Sequence, residues 1–215
     1  IRIAANSGTF NLIHPDLAQR REGLRRLPVL AEACARLGVP VITLCTGTRD
    51  PTDMWRHHAD NDLPAAWRDL IACLREALAV TEPHGVTLGI ESETANVVDS
   101  AQKCRRLLDE MKSPRLKVVM DAANLFHPGD LPRMREIVDE AFDLLGPDIV
   151  LAHAKELGPD SLPDGCGAGR GIIDWDHYLA RLCREQSVGA LILHGLNESE
   201  VPASVAFLQS KLNAN

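Results

Sequence analysis

The sequence contains few aromatic residues and no excess of basic ones. Phe, Trp and Tyr make up only 4% of its 215 residues, so a buried core must be mainly aliphatic. Acidic residues outnumber basic ones, 30 to 23, which gives a formal net charge of −7. Nucleic acids and anionic membranes are bound through basic protein surfaces. The composition therefore argues against either of them as the main partner.

Long apolar segments and paired cysteine motifs are also absent from the sequence. No apolar run approaches the roughly 20 residues that span a bilayer, and no signal-peptide pattern is visible. The six cysteines form no C-x-x-C motif, which favours small buried thiols in a reduced, cytoplasmic compartment. With 45% hydrophobic and 25% charged residues, the composition is that of a globular protein. We expect a single domain over residues 1–215 and no membrane partner.

Six short apolar runs alternate with six helix-like stretches. The runs are continuous, as in parallel strands that are covered on both faces. They occupy residues 1–5, 39–45, 86–90, 116–120, 148–152 and 190–193. Typical helix start or stop residues stand between them, namely Gly38, Pro64, Gly85, either Asp99 or Ser100, Gly146 and Asp174. This pattern predicts a parallel α/β fold, in which the functional site lies at the carboxyl ends of the strands.

A residue able to bind a metal directly follows each of four successive runs. These residues are Glu91, Asp121, His153 and His194. Because the carboxyl ends of parallel strands meet at one edge, we expect the four side chains to converge. Two carboxylates and two imidazoles form a complete set of ligands for a divalent transition metal. Any one of them alone fits a structural, hydrogen-bonded residue better, so the hypothesis depends on all four together.

The segments around these residues resemble the xylose isomerase-like TIM-barrel superfamily. They are SGTFNLIHPD (7–16), VTLGIESE, KVVMDAANLF, IVLAHAKE and GAGRGIIDW, in this order. The resemblance is strongest to the sugar (phosphate) isomerase/epimerase branch, which includes ketose epimerases and inosose dehydratases. It implies a TIM (β/α) barrel of eight parallel strands. Since six runs are visible, we expect that two βα units precede residue 1 and that the domain is N-terminally incomplete.

The resemblance also implies one divalent metal ion, commonly manganese, magnesium, cobalt or zinc. The usual ligands are a Glu, an Asp, a His and a second Glu. Glu91, Asp121 and His153 match the first three, and His194 stands where the second Glu is usual. Replacing a carboxylate by an imidazole removes one negative charge from the ligand set. This favours a metal that accepts nitrogen ligands, zinc or manganese.

Other residues are candidates for contacts with a substrate. Lys155 shares a strand face with His153 and is a candidate for stabilising an oxyanion or for binding a hydroxyl or phosphate. A solvated loop lysine is the equal alternative. Arg170, in the glycine-rich segment GAGRG (167–171), is a candidate anion clamp, although glycines also simply build turns. Asn11, His14 and Asn124 complete the substrate-binding candidates.

The implied reaction is isomerisation or epimerisation of a sugar or sugar phosphate through a cis-enediolate, with Glu91 as the base. Family epimerases use two carboxylates on opposite faces of that intermediate. Because His194 replaces the second, isomerisation or dehydration is expected over 3-epimerisation, unless Glu93 or Glu198 supplies the missing base. For Glu93, a loop carboxylate or hydrogen-bonding partner is the favoured interpretation.

Three other functions are alternatives. They are a dehydratase or lyase like inosose dehydratase, a non-catalytic sugar-binding barrel, and a nuclease of the related AP-endonuclease branch. The nuclease needs a basic groove, and the acidic composition argues against it. The sequence leaves the oligomeric state open, a homo-oligomer included.

Overall fold

The structure, a computed structural model, describes residues 1–158 and 166–213. It consists of two compact units, Ile1–Val119 and Met120–Asn215. Both units alternate parallel strands with helices. Among the described residues, no helix combines the length and the apolar character that crossing a membrane requires.

The first unit is built from parallel strands and three helices. Its elements are β1 (Ala5–Ser7), α1 (Leu17–Leu37), β2 (Val41–Cys45), α2 (Pro64–Thr81), β3 (Thr87–Glu91), α3 (Ala101–Met111) and the first part of β4 (Leu116–Asp121). β1 pairs with β2, β2 with β3 and β3 with β4, each time in parallel. Leu44, Leu74 and Leu88 are fully buried. The core of this unit is therefore aliphatic, as the composition predicts.

The second unit begins with the end of β4. It continues with α4 (Met134–Leu145), β5 (Ile149–Ala154), α5 (Trp175–Leu182), β6 (Leu191–Leu193) and α6 (Val201–Leu212). β5 and β6 pair in parallel, with His153 opposite Ile192. Aromatic rings pack in its core: the Tyr178 ring lies 5.9 Å from the rings of Phe142 and Trp175, centroid to centroid. The parallel α/β class predicted from the sequence is confirmed.

Most helix boundaries lie where the sequence predicts them. The carboxylates of Asp16 and Asp174 accept hydrogen bonds from the first turns of α1 and α5, and the Ser100 hydroxyl does the same for α3. Gly38 ends α1 and Gly85 ends the turn after α2, both with φ of 69°. Glycine adopts this left-handed conformation without steric cost, which is why it terminates helices.

The predicted strand bounds need two corrections. The strand predicted over residues 1–5 is wrong except for its last residue, because pairing begins only where Ala5 lies opposite Val41. Ile1 and Ile3 are exposed instead. Glu91, Asp121 and His153 belong to β3, β4 and β5 themselves rather than to the loops that follow. The strand backbone therefore fixes the direction of these three side chains.

The buried leucines of the first unit give a test of its core. We expect Leu74→Ala to lower the free energy of unfolding by about 2–5 kcal/mol, because it leaves a cavity where the side chain is fully buried. The same substitution at Leu37, which is 68% exposed at the end of α1, is the matched control and should change stability by less than about 0.5 kcal/mol. Urea denaturation followed by circular dichroism measures both. Equal losses at the two positions would contradict this description of the core.

Candidate metal centre

The second unit brings three of the predicted ligands together. Asp121 ends β4, His153 lies in β5, and His194 directly follows β6. Each offers a ligand atom within 4.8 Å of the ligand atoms of the other two. The Asp121 and His153 side chains are buried, and His153 Nδ1 lies 3.5 Å from Asp121 Oδ2. Three of the four side chains that were predicted to converge therefore lie together in this unit.

The backbone of the β5–β6 pair places the two histidines on one face. Ile192 lies opposite His153, and His194 follows two residues later, so strand alternation directs it to the same side. The His194 N–H donates to the Ala154 carbonyl at 3.1 Å, which extends the pairing one residue beyond β6. As a result the two imidazole rings stack with centroids 4.7 Å apart and planes only 4° from parallel. Parallel rings can turn their nitrogen edges toward one point.

The surroundings of His194 favour its neutral form. Partial loss of hydration lowers the pKa of its imidazole, and the neighbouring His153 and Lys155 lower it further, while Asp121 acts in the opposite direction. A histidine whose pKa lies below its ordinary value is unprotonated at neutral pH. It then keeps the nitrogen lone pair that metal binding requires.

The three residues fit a divalent transition metal. Two ligands that each lie about 2.0–2.2 Å from one ion at a tetrahedral angle are about 3.4 Å apart, close to the 3.5 Å between His153 and Asp121. The same distance is too long for a strong direct hydrogen bond. The Ala123 N–H donates to Asp121 Oδ1 at 3.0 Å and orients the carboxylate. Mixed imidazole and carboxylate donors suit zinc and manganese.

Tyr178 holds the strand ends that carry two of these ligands. Its hydroxyl lies 3.1 Å from the Met120 carbonyl and 3.2 Å from the His153 carbonyl, and it is almost fully buried. It thus links the residue before Asp121 to the backbone of His153. Sequence reasoning missed this residue, because a tyrosine on the buried face of a helix carries no signal beyond its hydrophobicity.

Lys155 and Asn124 lie beside this cluster and contact each other. Lys155 Nζ donates to Asn124 Oδ1 at 2.7 Å. Lys155 is only 8% exposed, so the alternative of a solvated loop lysine is wrong. Gly195 has φ of 70°, and a Cβ built there would lie 3.4 Å from Lys155 Cγ. The stem of the lysine therefore passes the residue that follows His194. The catalytic role of Lys155 and the substrate contact of Asn124 stay predictions.

Glu156 organises the glycine-rich loop and was also missed. It is 2% exposed, and its carboxylate accepts four hydrogen bonds of 2.8–3.1 Å from Leu157 N, Gly169 N, Ile173 N and Trp175 Nε1. A buried carboxylate is stable only when such donors replace its lost hydration. In the sequence, Glu156 follows Lys155 and resembles an ordinary charged residue of a loop. No pattern near it predicts that four hydrogen-bond donors will surround its carboxylate.

Glu91 lies in the first unit, within a second group of possible ligands. It is 6% exposed and lies opposite Cys45 in the pairing of β2 with β3. Ligand atoms of Cys45, Glu91 and Glu93 all lie within 4.8 Å of one another. Glu93, in the loop that follows β3, is thus close to Glu91. That Glu91 shares a metal with Asp121, His153 and His194 stays a prediction.

Asn11 and His14 connect two loops of the first unit. Asn11 donates to the Thr48 carbonyl at 2.8 Å and accepts from Thr48 N at 3.1 Å. His14 Nε2 lies 3.2 Å from the Pro51 carbonyl, and His14 Nδ1 accepts from Asp16 N. These contacts hold the loop after β1 against the loop after β2. Substrate binding by either residue stays a prediction.

Arg170 and Glu198 lie in exposed loops of the second unit. Arg170 Nη1 donates to Glu200 Oε1 at 3.3 Å. Glu198 begins the short turn that precedes α6. The segment 154–173, whose length in the sequence is typical of functional loops, is described except for residues 159–165.

A cavity of about 660 Å³ lies in the first unit, between the residues after β1 and α1. Phe10, Gly23 and Leu27 are among its lining residues. None of the predicted site residues lines it, and its charged lining residues Glu22 and Arg26 form an ion pair with each other. The metal-ligating and titratable groups at the strand ends define the candidate site instead.

The sequence of the chain matches the family described as Xylose isomerase-like TIM barrel over residues 2–211. The match covers nearly the whole chain, so this protein belongs to that family. Its parallel strands and intervening helices are those of a TIM-barrel fold. None of the curated proteins matches the chain in sequence.

Solved structures share the fold at low sequence identity. A D-tagatose 3-epimerase-like protein has a TM-score of 0.76 and 15% identity over 98% of this chain and 77% of its own. The 3-keto-D-glucoside 4-epimerase of E. coli has a TM-score of 0.73 and 16% identity, covering 98% and 80%. The IOLI protein, solved with a zinc atom, has a TM-score of 0.67 and 18% identity, covering 100% and 74%. The predicted presence of two upstream βα units stays a prediction.

The three clustered residues give a test of metal binding. We expect His194→Ala to weaken binding of Zn²⁺ or Mn²⁺ at least about 10-fold, because even residues that only support ligands have effects of that size. Isothermal titration calorimetry measures the affinity. His84→Ala is the matched control, since His84 lies in the turn after α2 in the first unit. Unchanged affinity in His194→Ala would mean that His194 is not a ligand.

Proposed function

We propose that this protein is a divalent-metal-dependent enzyme that isomerises or epimerises a sugar. The observation that carries the proposal is the cluster of Asp121, His153 and His194, with the buried pair Lys155–Asn124 beside it. Family membership supports it, and so do the solved structures with the same fold, which include a sugar epimerase and a sugar epimerase-like protein.

The residues that would hold the metal are Asp121, His153 and His194, with Glu91 proposed as the fourth ligand. The IOLI protein, solved with zinc, supports a nitrogen-tolerant ion, and we favour zinc or manganese. When bound, such an ion would polarise a carbonyl and the neighbouring hydroxyl, which would lower the cost of removing the C–H proton from the carbon that bears the hydroxyl.

The chain's own groups would then move the proton. We propose that the Glu91 carboxylate takes it from the carbon next to the carbonyl, so that the C–H electrons form a C=C bond and the carbonyl π electrons move to oxygen. The ammonium of Lys155 would donate a hydrogen bond to that oxygen as negative charge develops. Buried donors of this kind act strongly because water does not compete with them. Asn124 would hold Lys155 in place.

The arrangement of carboxylates favours isomerisation over 3-epimerisation. Two bases on opposite faces of a flat intermediate must each lie about 3–3.5 Å from it, hence about 6–7 Å apart. Glu93 has a ligand atom within 4.8 Å of Glu91, which supports a place on the same side, and Glu198 is exposed. An imidazole bound to a metal has no lone pair left for a proton. We therefore propose one competent base, Glu91.

The remaining parts of the proposal concern partners and location. The substrate would be a small sugar, and a homo-oligomer stays a prediction. The six cysteines form no C-x-x-C motif and four of them are buried, which supports a reduced, cytoplasmic compartment.

Turnover of a ketose and aldose panel in D₂O tests the proposal. We expect metal-dependent isomerisation with deuterium incorporated next to the carbonyl, and its loss on addition of a chelator. Glu91→Gln should lower kcat by at least about 100-fold, because it removes the base. Glu76→Gln, at an exposed position of α2, is the matched control.

Other outcomes of the same assay would replace the proposal. Elimination of water would identify a dehydratase or lyase, and saturable sugar binding without turnover would identify a binding protein. Turnover that survives Glu91→Gln would show that another group is the base.

His194 gives a second test, of the reaction preference. We expect His194→Glu to raise the ratio of 3-epimer to isomer, because the new carboxylate supplies a second base. The ratio is measured by chromatography of the products formed from one ketose. His194→Gln, which has a similar volume and no basic group, is the control. Efficient epimerisation by the wild type that falls in His194→Glu would mean that His194 itself moves a proton.

A further inference from the structure

We infer that the site takes an unphosphorylated sugar. The glycine-rich segment GAGRG (167–171) would be the place to cradle a phosphate, and two carboxylates of the protein already accept from Gly167 N, Gly169 N and the Arg170 guanidinium. This inference rests on the proposed function, because it names the substrate class of that site.

The Glu156 carboxylate accepts hydrogen bonds from three backbone N–H groups in and beside this segment. Phosphate sites in glycine-rich loops are built from backbone N–H groups that point at the anion. Here Leu157, Gly169 and Ile173 point their N–H groups at the Glu156 carboxylate. A Cβ at Gly171 would lie 2.4 Å from the Leu157 carbonyl oxygen and 2.5–2.7 Å from atoms of the Glu156 side chain. The absence of a side chain at Gly171 therefore lets this segment pack closely against Leu157 and Glu156.

The Glu200 carboxylate accepts hydrogen bonds from two further donors of this segment. Its Oε1 accepts from Gly167 N at 3.2 Å and from Arg170 Nη1 at 3.3 Å. Its Oε2 accepts from the backbone and side chain of Asn197, in the capping box that precedes α6. The Glu200 side chain is only 13% exposed. The charge of Arg170, the predicted anion clamp, is thus already balanced by a fixed carboxylate.

The other arginines in the described loops that follow strands also form ion pairs with carboxylates of the protein. Arg49 lies 2.6 Å from a carboxylate oxygen of Asp69, and Arg56 lies 2.7 Å from one of Asp50. Arg133, before α4, lies 2.9 Å from Glu136. The segment 154–173 itself contains two basic and three acidic residues. A phosphate would have to displace a protein carboxylate to gain a guanidinium partner.

Among the described residues of the loops that follow strands, Lys155 is the single lysine. Its position suits the carbonyl end of a sugar. Its stem passes Gly195, directly after His194, and its amine donates to Asn124. In a ketose carrying a terminal phosphate, the phosphate lies at the far end of the chain from the carbonyl. Lys155 would therefore lie beside the reacting oxygens of the proposed substrate, and the Lys155–Asn124 pair would offer hydrogen bonds to neutral hydroxyls.

The experiment compares a free ketose with its terminal phosphate ester, and adds calorimetric titration with inorganic phosphate. For the metal-loaded wild type we expect kcat/KM at least about 10-fold higher for the free ketose, the effect of one charge-assisted hydrogen bond. We also expect no saturable binding of phosphate. Glu200→Gln keeps the capping box but removes the carboxylate that pairs with Arg170. It should therefore reduce the ratio of kcat/KM for the free ketose to kcat/KM for the phosphate ester several-fold. Glu140→Gln, exposed on α4, is the matched control and should change nothing.

Two outcomes would overturn the inference. One is a wild type that prefers the phosphate ester. The other is saturable phosphate binding that Arg170→Ala abolishes. If no sugar is turned over, the proposed function fails, yet the titration with phosphate still decides this inference. Thermal unfolding of each variant separates a change in specificity from a loss of fold.

Discussion

The pairing of β5 with β6 sets the position of the two histidines, and the rest of the candidate site depends on it. Because the strands are parallel and His153 lies opposite Ile192, the residue two positions after Ile192 must face the same side. A shift of the register by one residue would turn His194 to the opposite face. The hydrogen bond from His194 N to the Ala154 carbonyl therefore matters for chemistry as well as for the sheet.

Buried charge imposes the second constraint on this unit. Lys155 and Glu156 are adjacent in sequence, both are nearly inaccessible, and they point to different partners. The lysine reaches the Asn124 amide, and the carboxylate collects backbone and indole donors. Each charge is thus stabilised separately, so the ammonium keeps its place beside the cluster without forming an ion pair with its neighbour. An ammonium paired with a carboxylate would be less available to an oxyanion.

The sequence predicts much of this fold because local signals agree with it. Residues such as Gly38, Pro64 and Asp174 mark helix ends and starts, and continuous apolar runs mark most strands. The run at residues 1–5 misleads, because hydrophobicity predicts burial and says nothing about whether a pairing partner is present. At the site, Asp121, His153 and His194 follow from their strand-end positions. Glu156 and Tyr178 do not, because their roles depend on donors and acceptors that folding brings from distant parts of the sequence.

Tyr178 is the only tyrosine in the chain, and its hydroxyl lies between the carbonyls of Met120 and His153. A tyrosine-specific isotope or fluorine label therefore enters the protein at a single position. The resulting resonance would be unique, would need no assignment, and would report directly on the strand ends that carry Asp121 and His153. The scarcity of aromatic residues thus gives this protein an intrinsic spectroscopic probe beside its candidate metal centre.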